Sequence, residues 1–183
     1  IRKRSDIPII FFAYYNTILA HGPARFAEDA AESGLDGALV LDLPPEEAAD
    51  LIAAAREHDV KTIFFIAPTS TADRIALVND ATTGFIYCIS VTGVTGARTA
   101  LPPELADSLR QLRDGTDKPL VVGFGVSTPD HVRAMARVAD GCIVGSAVAR
   151  VIEAALDEPV EELCARVGDF VAPLAIAAHE GQR

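Results

Sequence analysis

At 183 residues, half of them hydrophobic and none in a low-complexity tract, the chain is long enough for one sizeable core. A net charge of −10 argues against a nucleic-acid or anionic-membrane surface, and no apolar run approaches the roughly 20 residues that span a bilayer. An anionic substrate stays open, because backbone N–H groups at helix N-termini hold phosphate without help from net charge.

The opening IRKRSD is a short basic stretch that reads as the tail of an earlier helix. Apolar runs rich in β-branched and aromatic residues then recur: IPIIFFAY (7–14), GALVLDL (37–43), TIFFIAPT (62–69), GFIYCISV (84–91), PLVVGFG (119–125) and GCIVGSA (141–147). Their near-continuous hydrophobicity predicts parallel strands buried on both faces. Between them, PPEEAADLIAAAREH (44–58) has prolines and acids in its first turn, and STADRIALVNDA (70–81) opens on a Ser/Thr cap. STPDHVRAMARVA (127–139) places caps before Pro129, and a last helix fills much of 160–179.

This repetition fits an open doubly wound sheet or a closed (β/α)₈ barrel. The segment after the first strand, YNTILAHG, lacks the glycine cluster of a dinucleotide turn. A TIM barrel explains the glycines better. Gly93, Gly96, Gly123, Gly125 and Gly145 all stand at the C-terminal ends of the last strands, where phosphate-binding barrels build their cradle. The six units then count as the third to the eighth of one barrel domain over 1–183, without the first two βα units.

GFGVSTPDH (123–131) and IVGSAVAR (143–150) share one design of strand end, glycine turn and helix start, which suits an anion; Ser146 adds a hydroxyl. Asp42 in LDLPPEE is the one carboxylate near the end of an otherwise apolar strand. It reads as an acid/base, as a holder of a loop, or as a cap for the following helix. Lys3, Lys61 and Lys118 lie before strands, away from any Schiff-base position, and His21, His58, His131 and His179 lack metal-ligand spacing. Cys88, Cys142 and Cys164, an odd number without CxxC spacing, read as buried reduced thiols of a cytoplasmic protein. Tyr14, Tyr87 and Phe124 belong either to the core or to an apolar pocket beside the phosphate cradle.

FFAYYNTILAHG, LDLPPEE, FFIAPTST, GFIYCISVTGVTGAR, VGFGVSTP and IVGSAVAR, in this order, resemble the tryptophan synthase α-chain family over essentially the whole chain. The resemblance implies a (β/α)₈ barrel that cleaves indole-3-glycerol phosphate to indole and glyceraldehyde 3-phosphate by a cofactor-free retro-aldol reaction. It places Gly96, Gly125, Gly145 and Ser146 on the phosphate. Phe12, Leu39, Tyr87, Phe124 and Ile143 fall around the indole ring, with Tyr14 nearby. Thr95 belongs to a closing loop and Asp42 to the carboxylate that meets it. Asn16 and Pro44, Pro45, Glu46 and Glu47 fall on the contact with a pyridoxal-phosphate-dependent β chain in an α2β2 heterotetramer. The family's catalytic Glu and Asp would lie upstream of Ile1, since its Glu-x-Gly-x-Pro strand end has no match here.

Overall fold

The computed structural model describes residues 1–89, 103–123 and 125–181. The chain divides into two compact units, one of Ile1–Ile66 with Ser70–Tyr87 and the other of Ala67–Thr69 with Cys88–Arg183.

In the first unit β1 (Ile10–Ala13), β2 (Gly37–Val40) and β3 (Lys61–Ile66) lie side by side in chain order and parallel, and β4 (Ile86–Ile89) begins at its end. Helices α1 (Tyr15–His21), α2 (Pro23–Glu32), α3 (Ala49–Glu57) and α4 (Ala72–Ala81) connect them. The pleat sends alternate side chains to opposite faces. Ile9 and Phe11 share the helix-covered face: Ile9 packs on the buried cluster of Ala30, Leu35, Ala55 and Val60, and the Phe11 ring lies 6.5 Å from that of Phe26 on α2. Burying each Leu or Val of such a cluster stabilises by about 1.5–3 kcal/mol. Phe12, Leu39 and Ile63 align across the three strands on the other face.

The predicted burial of β1 on both faces does not hold: Phe11 is 51 % and Phe12 65 % exposed. β1 is the edge strand of this group and β2 pairs with it on one side only, so its apolar run has a strand's composition without a central strand's cover. The predicted helix 44–58 also divides, into a 3-10 turn at Pro45–Glu47 and α3 beginning at Ala49. Pro44 and Pro45, which lack an N–H, start the tight turn. At the other end of the strands Arg2 makes a clasp, donating to the Gly34 and Ile7 carbonyls at 2.6 Å and pairing with Asp36. Gly34 has φ +76°, and a Cβ there would come within 2.8 Å of the Arg2 side chain, so glycine is required.

In the second unit β5 (Leu120–Gly123) and β6 (Gly141–Ile143) pair in parallel, with Val121 opposite Gly141 and Gly123 opposite Ile143. Around them stand α5 (Pro103–Asp114), α6 (Pro129–Ala136), α7 (Ser146–Glu153) and α8 (Val160–Gly181). Leu109, Leu120, Val122 and Val132 are buried. Asp140 joins three elements, accepting the Leu120 N–H at 2.7 Å and pairing with Arg113 of α5 just before β6. Arg133 of α6 donates to Glu180 of α8 at 2.9 Å. Among the described residues no helix is long and apolar enough to cross a membrane.

Candidate functional site

The candidate site residues of the first unit gather where β2 and β3 end. β2 stops at Val40, and Asp42 follows in a turn with its side chain exposed. Its Oδ1 accepts the Tyr15 N–H at 2.7 Å. Tyr14, the residue that opens α1, supplies no side-chain bond of its own, so Asp42 caps α1 from the neighbouring strand end. The expectation of a cap for the helix that follows in sequence is thereby corrected. The geometry instead ties the turn to the helix start beside Asn16.

Three of the expected pocket residues share a face. Phe12 and Leu39 are in register on β1 and β2, and Phe65, two residues beyond Ile63, extends the same row. The Phe65 ring lies 6.5 Å from Phe12 and 5.0 Å from Tyr87, both tilted, a geometry that suits aromatic quadrupoles and leaves a flat apolar wall. Burial raises the Tyr87 phenol above its ordinary pKa. Phe65 was not singled out from the sequence. Its signal was the strand-end FFI, but only the pairing register shows which of its two phenylalanines joins Phe12. Tyr14 stands off the row as the exposed residue before α1.

The second unit carries the glycine turns. Gly123 pairs with Ile143, so the chain leaves β5 and β6 at the same level, Gly125 two residues past one and Gly145 two past the other. Gly125 has φ +56°, a conformation that favours glycine, and a Cβ at either Gly125 or Gly145 would meet nothing within 4 Å. Ser146 opens α7, whose N-terminus has no side-chain cap, whereas α6 is capped by Thr128, which accepts the His131 N–H at 3.3 Å. An uncapped helix start with orphan N–H donors beside open space is suited to an anion. Ile143 is the last residue of β6, half-buried. Thr95, Gly96 and Phe124 lie outside the described residues.

Of the expected partner-facing residues, Asn16 sits in the first turn of α1, and Pro45, Glu46 and Glu47 form the 3-10 turn with Pro44 before it. Glu46 pairs with Arg74 of α4. Of the three cysteines expected to be buried, Cys88 is, and burial pushes its thiol up to about 11, whereas Cys142 is only half-buried and Cys164 is exposed on α8. Lys61 opens β3 rather than preceding it. Among the described residues no cluster of His, Cys, Asp and Glu is arranged to hold a metal ion.

The family model for the tryptophan synthase alpha chain matches residues 1–175. The chain belongs to the tryptophan synthase alpha chain family. A tryptophan synthase alpha chain from Citrifermentans bemidjiense is 45% identical over 183 residues, covering 100% of this chain and 67% of the relative. The crystal structure of tryptophan synthase subunit alpha from Legionella pneumophila matches with a TM-score of 0.86 at 31% identity, over 98% of this chain and 66% of that one. A chain of the tryptophan synthase α2β2 complex from Pyrococcus furiosus, a structure concerned with the mutual activation of that complex, matches with a TM-score of 0.82 at 38% identity, over 93% and 69%. The fold is therefore the family's α/β barrel class, with six strands of it present. The chain spans about two thirds of the length of these relatives.

Proposed function

We propose that this chain supplies the substrate-binding part of an indole-3-glycerol-phosphate lyase, the α subunit of a tryptophan synthase acting in tryptophan biosynthesis in the cytoplasm. The observation that carries the reading is the pair of glycine turns at one level of β5 and β6, both open, with the uncapped start of α7 at Ser146. Gly125, Gly145, Ser146 and, from outside the described residues, Gly96 hold the phosphate. Phe12, Leu39, Tyr87, Phe124 and Ile143 receive the indole, and Phe65 joins Phe12 and Tyr87 in that role. Anchoring both ends of the substrate fixes the carbon–carbon bond that breaks, and orientation of this kind accelerates cleavage without cofactor chemistry in this chain. By the family resemblance Thr95 belongs to a loop that closes over the bound substrate toward Asp42, whose Oδ1 accepts the Tyr15 N–H. The resemblance gives the proton transfers to the family's Glu and Asp, whose Glu-x-Gly-x-Pro pattern is not found in these 183 residues. The α2β2 complex of the Pyrococcus furiosus relative supports a β-chain partner; pyridoxal phosphate in that partner, and docking at Asn16 and the 44–47 turn, rest on the family resemblance.

The missing Glu-x-Gly-x-Pro pattern favours one alternative, a binding and partner-activating module without lyase chemistry of its own. Calorimetric titration with glycerol 3-phosphate tests the cradle that both readings share. A Cβ at Gly145 meets nothing within 4 Å, so Gly145→Ala is expected to fold while its affinity drops by more than about tenfold. Unchanged affinity removes the phosphate site from the account.

A further inference from the structure

Arg74 occupies a position that local preference disfavours. It lies in the first turn of α4, where a cation opposes the helix dipole, and its backbone N–H is already held by Thr71 Oγ1 at 3.4 Å. Its guanidinium reaches away from its own helix to Glu46, 28 positions earlier in the chain. Glu46 is the middle residue of the Pro45–Glu47 turn, and its carboxyl is held below the ordinary range by its backbone hydrogen bond and by Arg74.

Arg74 also lines a cavity of about 270 Å³ with Asp42, Pro44, Pro45 and Phe65. Asp42 in turn holds the Tyr15 N–H, next to Asn16. One bracket therefore runs from α4 through Glu46 and the turn to Asp42 and on to the start of α1. It links both segments expected to face the β chain with the carboxylate expected to meet the closing loop. A pair with side chains 35 % and 51 % exposed adds little to folding stability, so its value lies in geometry.

We propose that Arg74 is a positioning residue that, by holding Glu46, sets the 44–47 turn and Asp42 so that docking of the β chain raises the lyase rate. This rests on the function proposed above. The test uses the full-length protein, measuring kcat and KM for indole-3-glycerol phosphate with and without saturating β chain, in wild type, Arg74→Gln and Arg74→Lys. Arg74→Gln keeps its basal kcat within about twofold, while the activation ratio falls about fivefold, the lower end of ordinary coupling between sites. Arg74→Lys, which keeps the charge, recovers most of the ratio.

An Arg74→Gln ratio within twofold of wild type overturns the proposal, and so does an equal loss of basal and activated rates. Failure of Arg74→Gln to fold leads to Arg74→Met, which keeps the stem's packing; if that also fails, the pair is structural and the proposal falls. A wild-type protein with no lyase activity, or none that responds to the β chain, refutes the functional reading instead.

Discussion

Asp42 does two kinds of work that separate substitutions resolve. Its Oδ1 caps α1 by accepting the Tyr15 N–H, which an amide oxygen also does. Asp42→Asn is expected to keep stability within about 0.5 kcal/mol, whereas Asp42→Ala loses about 1 kcal/mol in urea melts, the ordinary value of a helix cap. Both are expected to slow the β-activated lyase reaction of the full-length protein at least about tenfold, since both remove the charge proposed to meet the loop; wild-type rates would end that role. Thr82 is the opposite case, a buried residue whose Oγ1 has no hydrogen-bond partner. Thr82→Val keeps the shape and removes the unpaired hydroxyl, so the urea midpoint should rise by an equivalent of about 1 kcal/mol. A fall would show that the hydroxyl has a partner. The thiols should react in order of exposure: Cys164 at once with a disulfide reagent, Cys142 slowly, and Cys88 only on unfolding, because its thiolate is suppressed by burial.

Asp140 belongs to the scale of elements, because it fastens α5, β5 and β6 at one carboxylate. Burial raises its pKa, but the Leu120 N–H and the Arg113 guanidinium outweigh that and hold the carboxyl below its ordinary value. A depressed carboxyl stabilises the fold above the unfolded pKa, about 4, and that stability is lost as pH falls through the lower folded value. Asp140→Asn should therefore flatten the acid limb of stability below about pH 4. At pH 7 it should cost no more than about 1 kcal/mol, since the side chain is half-exposed and screened. The strands around this joint were legible because β-branched runs bounded by glycine and proline need no tertiary information. Helices α1 and α2 were not, since the α1 cap comes from Asp42, 27 residues away, and no local motif announces it. The exposure of β1 was illegible for a related reason: a run such as IPIIFFAY specifies a strand, and only its neighbours decide whether both faces are covered.

At the scale of the whole molecule, alternation of strand and helix with glycines at the late strand ends was enough to predict an α/β barrel, and the family match agrees with that fold. The glycine turns were legible because glycine at a strand end has a local conformational reason, as the φ of +56° at Gly125 shows. The aromatic wall was legible only in part, because the choice of Phe65 over Phe64 depends on pairing register. Binding and gating are the roles proposed for these 183 residues, and the family's Glu-x-Gly-x-Pro pattern has no match among them. Indole release from indole-3-glycerol phosphate tests this most directly, measured on the 183-residue chain and on the full-length protein, each with and without β chain. The account predicts indole and glyceraldehyde 3-phosphate in equal amounts from the full-length protein and none from the shorter chain; robust release by the shorter chain, or none by either, would contradict it.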